Sequence, residues 1–193
     1  MKWLLFSGIM GLLFFLGACE ENSRSPIEVQ MYNPAGDRIG TATLTEQSDG
    51  VNAKLSLEGL EPGFHGIHVH EKPLCEGPDF KSAGSHVNPE NKEHGLMHPK
   101  GAHLGDLPNI EAGSDGTVNT ELIISGATLM DGKNSILKDD GTSLVVHEKQ
   151  DDGISQPAGE SGARIGCGKI QVDNKGNVEP APTDPTESNK EKE

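Results

Sequence analysis

Short runs of alternating apolar and polar residues recur along this chain and constrain its fold more than any other feature. The first run, Ile27–Tyr32, has a period of two, which is the period of a half-buried β-strand. Similar runs follow at 39–47, 51–57, 64–71, 117–124, 143–148 and 164–172. No helical period is sustained for more than about two turns. With 25 glycines, 12 prolines and only 4% aromatic residues, the sequence predicts an all-β antiparallel sandwich or barrel with one long inserted loop.

The first 18 residues are typical of an export signal. Lys2 supplies a positive charge, and an apolar stretch from Leu4 to Leu16 follows that is short for a bilayer span. The segment ends in Leu16-Gly17-Ala18-Cys19, which resembles the lipobox of bacterial lipoproteins. We therefore expect lipidation at Cys19 and an extracytoplasmic protein anchored to the cell membrane, because two or more acyl chains give stable attachment. A plain secretory signal with a chance cysteine is the alternative.

These features divide the chain into four predicted segments. They are a lipoprotein signal peptide at 1–18, an anchor and linker at 19–26, one domain at 27–172, and a disordered acidic, proline-rich tail at 173–193. The net charge of −14 disfavours nucleic acid and anionic lipid as partners through charge alone. Any anionic substrate therefore needs a local positive group.

Two cysteines remain once Cys19 is assigned to the anchor. Outside the cytosol Cys75 and Cys167 can oxidise to a disulfide. Free thiols with a metal-binding role are the alternative, although no Cys-x-x-Cys pair supports it.

Histidines are concentrated in one part of the chain, since seven of the eight lie between His65 and His103. Imidazole is the commonest protein ligand for zinc and copper, so metal binding is the leading interpretation. His68 and His70 lie two apart and project from one face of an extended strand. His65 projects from the other face with the apolar residues, and we expect it to be packed and hydrogen-bonded rather than a ligand.

Further candidate ligands lie in the long loop from 72 to 110, which has no sustained period. They are His86, His94, His103 and Asp106, a His₃Asp set suited to a closed zinc site. His147 stands at the end of a later strand, and Asp151 follows four residues on. A solvated polar loop with incidental histidines is the alternative.

Six separated motifs resemble the copper/zinc superoxide dismutase family, in the family's order, over residues 27–172. They are GFHGIHVHE at 63–71, AGSHVNP at 83–89, HG at 94–95, HLGDLPN at 103–109, VVHE at 145–148 and GARIGCG at 162–168. The resemblance implies a Greek-key antiparallel β-sandwich or barrel, immunoglobulin-like, with long metal-binding and active-site loops. It also implies one copper and one zinc ion per subunit.

The resemblance implies a role for each matching residue. The copper ligands are His68, His70, His86 and His147, and the zinc ligands are His86, His94, His103 and Asp106. His86 thus bridges the two ions, and Asp151 is an outer carboxylate joining His68 to His94. Cys75 and Cys167 match the family's intrachain disulfide. His98 has no counterpart.

The implied activity is that of a superoxide dismutase, an oxidoreductase that converts superoxide to dioxygen and hydrogen peroxide and protects the cell surface. Arg164 and His86 are the implied catalytic residues, Arg164 as the cation beside copper and His86 as a proton donor. Lys149 is the one cation in the segment 149–163, so long-range guidance of superoxide is expected to be weak.

Two rival functions remain. One is a lipoprotein that binds or stores copper or zinc without turnover, although all four copper-ligand positions are retained. The other is an adhesive surface sandwich, which leaves the match around Arg164 and Cys167 unexplained. A monomer and a homodimer are both compatible with the sequence.

Overall fold

The computed structural model describes residues 26–172 of the chain. The predicted signal peptide, Cys19 and the predicted tail lie outside the described residues. Nine strands are present in this range: β1 Ile27–Tyr32, β2 Arg38–Gln47, β3 Gly50–Leu57, β4 Gly63–His65, β5 Ile67–His70, β6 Ile110–Ala112, β7 Val118–Ser125, β8 Thr142–His147 and β9 Arg164–Ile170. One turn of 3-10 helix, Lys81–Ala83, is the helical element of the described range.

Seven strands form one antiparallel sheet in the order β5-β8-β9-β1-β2-β3-β7, and β4 pairs with β6. The first strand therefore lies between the second and the last, which brings distant parts of the chain side by side. The prediction of an all-β antiparallel fold is confirmed. Alternation decides which face is buried: Ile27, Val29 and Met31 are at most 2% exposed, whereas Glu28 between them is exposed. Burying each such apolar side chain contributes about 1.5–3 kcal/mol.

The run expected at 64–71 is two strands rather than one. Gly66 separates them, and its N–H and C=O bond to Lys149 O and His147 N, both at 2.8 Å. β4 consequently pairs with β6, while β5 pairs with β8. β6 has three residues and falls at the end of the long loop, too short to show a period of two.

The predicted disulfide is present, with Cys75 bonded to Cys167 and a Cα–Cα distance of 5.6 Å. It joins the long loop to β9 beside a small cluster of buried residues that includes Phe80 and Val145. Within residues 26–172, no helix has the length and apolar character needed to cross a bilayer.

Candidate metal centre

Strand β5 lies at the centre of the histidine cluster and brings its parts together. On one edge it pairs with β8, so that Ile67 faces Val146 and His147 follows at the strand end. On the other edge it forms single bridges to the long loop, between His68 and Asp106 and between His70 and His86. The long loop and β8, which are distant in the chain, thus lie on the two sides of one four-residue strand.

Gly105 allows the long loop to approach β5 closely. Its carbonyl accepts a hydrogen bond from Val69 N, and Val69 O accepts one from Val87 N, both at 2.9 Å. A Cβ atom at position 105 would overlap Val69 O. Glycine is therefore required where the loop carries its ligands past the strand.

One compact group consists of His68, His70, His86 and His147, all buried. Hydrogen bonds fix the tautomer of three of these rings. His70 Nδ1 donates to Gly84 O at 2.9 Å, and His147 Nδ1 donates to Gly162 O at 3.4 Å. His68 instead donates from Nε2, to Asp151 Oδ2 at 2.6 Å.

The second ring nitrogen of each of these three histidines has no protein partner. His68 Nδ1, His70 Nε2 and His147 Nε2 are buried without a hydrogen bond. Burying a polar atom unpaired costs about 1–3 kcal/mol, so three such atoms in one cluster favour binding of a ligand there. Imidazole nitrogens that are fixed at one position and bare at the other suit a transition-metal ion.

A second cluster surrounds one oxygen atom of Asp106. The Nδ1 atoms of His86, His94 and His103 lie 2.8, 3.0 and 3.3 Å from Asp106 Oδ1. The other carboxylate oxygen, Oδ2, accepts backbone hydrogen bonds from Gly95 at 2.8 Å and from His103 at 3.0 Å. Three imidazoles and one carboxylate, held from behind by the backbone, provide the donor set of a closed zinc site.

His103 lies at the edge of this cluster. One buried group, whose ligand atoms all lie within 4.8 Å of one another, contains Asp106 with His68, His86 and His94. His103 is partly exposed, and its Nδ1 is 3.4 Å from His86 Nδ1. The ring of His68 stacks on that of His86, with centroids 4.1 Å apart, which explains its nearness to both groups. The bare Nδ1 of His68 nevertheless belongs with the other two bare nitrogens.

Asp151 connects the two groups from the outside. Its Oδ2 accepts from His68 Nε2 at 2.6 Å, and its Oδ1 lies 3.2 Å from His94 Nε2. The family resemblance implied this role for Asp151. Two amide side chains that sequence reasoning left without a role, Asn109 and Gln156, hold the backbones of Asp151 and His94.

Burial keeps three imidazoles of the first group neutral, those of His70, His86 and His147. It is the main cause that lowers the pKa of His70 to about 2, that of His86 to about 4 and that of His147 to about 3. Neighbouring histidines lower the pKa of these rings further. A neutral imidazole has a free lone pair, so these groups are ready to bind a metal ion at neutral pH.

The carboxylates are ionised. Burial alone would raise the pKa of Asp106 and that of Asp151, but hydrogen bonds from the surrounding histidines hold both pKa values below their usual range. Burial lowers the pKa of His94 as well, yet its contacts with Asp106 and Asp151 outweigh this effect and raise the pKa to about 9. The ionised Asp106 and Asp151 thus hold a proton on His94, and a metal ion bound at His94 Nδ1 must displace that extra proton.

Arg164 is held at the first group by two carbonyl oxygens of the long loop. Its Nη1 donates to Phe80 O and its Nη2 to Gly84 O, both at 2.8 Å. Since Gly84 O also accepts from His70 Nδ1, one carbonyl positions both side chains. An open depression lined by Arg164, His86 and the acidic Glu71 leads to this point.

Two histidines lie apart from both groups. His65 is 2% exposed, and its nitrogens lie 2.8 Å from the carbonyl oxygens of His147 and Glu61. The prediction that His65 is packed and hydrogen-bonded is confirmed. His98 bonds to Lys100 N and takes no part in either group of the described residues.

The chain matches the family model of copper/zinc superoxide dismutase (SODC) over residues 38–170. It belongs to the copper/zinc superoxide dismutase family. This match covers every strand from β2 to β9 and all the histidines of both groups. The copper and zinc that the sequence resemblance implied are the metals of this family, and the two groups suit them.

Relatives within the family cover most of the chain. Superoxide dismutase [Cu-Zn] 2 of Aquifex aeolicus is 40% identical over 167 residues, 86% of this chain and 98% of its own. The superoxide dismutase-like protein YojM of Bacillus subtilis is 42% identical over 80% of each chain. A crystal structure of a double mutant of a SOD-like protein from Bacillus subtilis is 44% identical, with a TM-score of 0.73 over 75% of this chain and 96% of that one.

Proposed function

We propose that this chain is a copper/zinc superoxide dismutase that converts superoxide to dioxygen and hydrogen peroxide. The family match and the named copper/zinc dismutases among its relatives support this activity. The observation that carries the proposal is the set of three buried imidazole nitrogens without a partner, on His68, His70 and His147.

The residues fit the two metals of the family. In the proposal copper is held by His68, His70, His86 and His147, and zinc by His86, His94, His103 and Asp106. His86 is shared, because an imidazole has two nitrogens and Nδ1 already faces Asp106. An all-imidazole set suits copper, and three imidazoles with one carboxylate suit zinc.

Copper supplies one-electron exchange with superoxide, whereas zinc has no accessible redox change and serves structure. The protein residues determine the rest. Asp151 accepts a hydrogen bond from the protonated Nε2 of His68. Nδ1 of that ring is therefore left free to bind the metal ion. The ring nitrogen of His86 opposite Nδ1 would bind copper and, when it is free of copper, would hold one proton for delivery to the peroxide product.

Arg164 binds the anionic substrate in this proposal. Its guanidinium is fixed by two carbonyl groups, and its charge contributes, after burial and His86, to the low pKa of His70. The depression beside it also contains Glu71, and Lys149 is the one cation of 149–163. Arg164 therefore has to attract superoxide to a protein of negative net charge, and we expect the long-range electrostatic steering of superoxide to be weak.

Turnover separates this function from metal storage. Purified, disulfide-bonded protein loaded with copper and zinc is assayed for superoxide removal, and the zinc-only protein serves as the control. We expect copper-dependent removal in the doubly loaded protein alone. Full copper and zinc occupancy without activity would contradict the enzyme and favour a metal-binding role.

We also propose that Cys19 is lipidated and anchors the protein outside the cytoplasm, where it removes superoxide at the cell surface. The support is the sequence Leu16-Gly17-Ala18-Cys19 after an apolar stretch. Metabolic labelling with a fatty acid should mark the wild type and not Cys19→Ser. Lipid labelling that persists in Cys19→Ser would overturn the anchor.

A further inference from the structure

Two amide side chains link the long loop to the segment between β8 and β9 and hold it by the backbone. Asn109, just before β6, donates from Nδ2 to Asp151 O and accepts from Asp151 N, both at 2.8 Å. Gln156, in the segment between β8 and β9, holds His94 of the long loop in the same way. It accepts from His94 N and donates to His94 O, both at 2.9 Å. We call these two pairs the amide clamps.

The amide clamps hold the backbones of Asp151 and His94, whose side chains contact each other. Asp151 and His94 are 6% and 0% exposed, and their carboxylate and imidazole are 3.2 Å apart. Each clamp comes from the opposite segment: Asn109 belongs to the loop that carries His94, and Gln156 to the segment that carries Asp151. The two backbones are therefore fixed relative to each other on both sides of this contact.

We propose that Asn109 and Gln156 are positioning residues that set the affinity of the zinc group by holding the contact between Asp151 and His94. The inference rests on the ligand assignment of the proposed function. An amide that makes two hydrogen bonds to one residue's backbone fixes both position and orientation of that residue. The carboxylate then meets His68 and His94 without further adjustment, as an outer partner of metal ligands must.

The test measures zinc affinity by competition with a chromophoric chelator, in purified protein with its disulfide intact. Asn109→Ala and Gln156→Ala each remove one clamp. Gln156 is exposed, so its truncation leaves no cavity. Gln156→Ala therefore tests the proposal even if Asn109→Ala folds poorly. We expect zinc affinity to fall about tenfold in each variant, the lower end of the effect for outer partners of metal ligands.

Asn33→Ala is the matched control. The Asn33 side chain accepts two backbone hydrogen bonds, from Ala35 at 3.0 Å and Asp37 at 2.9 Å, in the turn between β1 and β2. This variant loses the same kind of contact far from the metal groups. Its zinc affinity should stay within about twofold of the wild type, and a loss as large as that in the clamp variants would contradict the proposal.

A double-mutant cycle separates positioning from general loop stability. If Asn109 acts through Asp151, then Asn109→Ala should cost less than about threefold in zinc affinity once Asp151→Asn is present. A tenfold loss in both backgrounds would overturn the proposal, and so would wild-type affinity in both single variants. Dismutase activity is measured separately: an inactive wild type with clamp-dependent zinc affinity would refute the enzyme and leave the clamps intact.

Discussion

The carboxylate of Asp151 lies 2.6 Å from Nε2 of His68, and both side chains are buried. Because a carboxylate only accepts hydrogen bonds, the proton of this imidazole is held at Nε2, and Nδ1 is left bare among the other histidines. The same carboxylate contacts His94, so one acidic group orients a member of each metal group.

Replacing Asp151 by asparagine should weaken metal binding. The amide NH₂ would face an imidazole N–H where a carboxylate oxygen now accepts. We expect zinc affinity to fall about ten- to a hundredfold, as measured by chelator competition. Asp152→Asn is the control, since the exposed Asp152 side chain accepts hydrogen bonds from Ile154 and Ser155 and belongs to neither metal group. Equal zinc affinities in the two variants would contradict the role of Asp151.

A methyl group at position 159 should displace the same carboxylate. Gly159 has φ +62, and a Cβ there would overlap Asp151 Oδ1 and approach His94 Nε2. Gly159→Ala should therefore lower zinc affinity in addition to any loss of stability. Gly59→Ala is matched, because Gly59 has φ +76 with open space around a Cβ. Both carry the backbone cost of about 1 kcal/mol, but only Gly159→Ala should lose zinc.

His147→Ala should abolish copper binding without affecting zinc binding. It removes one of the three unpartnered nitrogens and leaves the Asp106 cluster untouched. We expect loss of copper and of dismutase activity with zinc retained, measured by elemental analysis after dialysis. His98→Ala should retain both metals. Loss of zinc together with copper in His147→Ala would show that the ligands are wrongly divided.

Arg164→Gln should lower activity without lowering metal content. The substitution removes the fixed positive charge beside the depression, and superoxide is an anion. We expect a fall of about tenfold or more in the rate constant at low salt, with a weaker dependence on ionic strength. Arg38→Gln, at an exposed position, should change the rate little. Unchanged activity in Arg164→Gln would remove this residue from the reaction.

The metal-free protein should lose stability in mild acid. His70, His86 and His147 have folded-state pKa values of about 2, 4 and 3, below the unfolded value of 6.5. Between pH 6.5 and 4 the unfolded state therefore binds more protons than the folded state. The free energy of unfolding should decrease as pH falls through this window, by up to about 1.4 kcal/mol per pH unit for each imidazole.

His94 does not contribute in that window. Its raised pKa of about 9 gives stability that is present below pH 6.5 and is lost as pH rises toward 9. Denaturant titrations of the metal-free protein at several pH values measure both trends. His147→Gln should reduce the slope between pH 6.5 and 4. A stability independent of pH in this range would contradict neutral buried histidines.

Much of the site follows from local sequence. His68 and His70 share a strand face because side chains alternate, and their separation by two residues shows this directly. The Asp106 ligand follows from its spacing to His103. His65 could be set aside because it lies on the opposite face, and its two carbonyl contacts agree.

The amide clamps and the loop contacts of Arg164 could not be found in this way. Asn109 and Asp151 are 42 positions apart, and Arg164 is 84 from Phe80. No periodicity relates such residues, because their contact depends on how the loops fold over the strands. The division at Gly66 was missed for the same reason, since β4 and β5 differ only in their distant partners.

The sequence by itself determined the antiparallel β fold, the concentration of metal-binding side chains and the family to which they belong. These are properties of residue type and short-range spacing, which a strand's period of two and the chemistry of imidazole translate into structure. Only the tertiary structure decided which ring nitrogens are bare, which oxygen of Asp106 is shared and which amides hold the loops. Those features depend on contacts between distant segments, and the burial that creates them exists only in the folded chain.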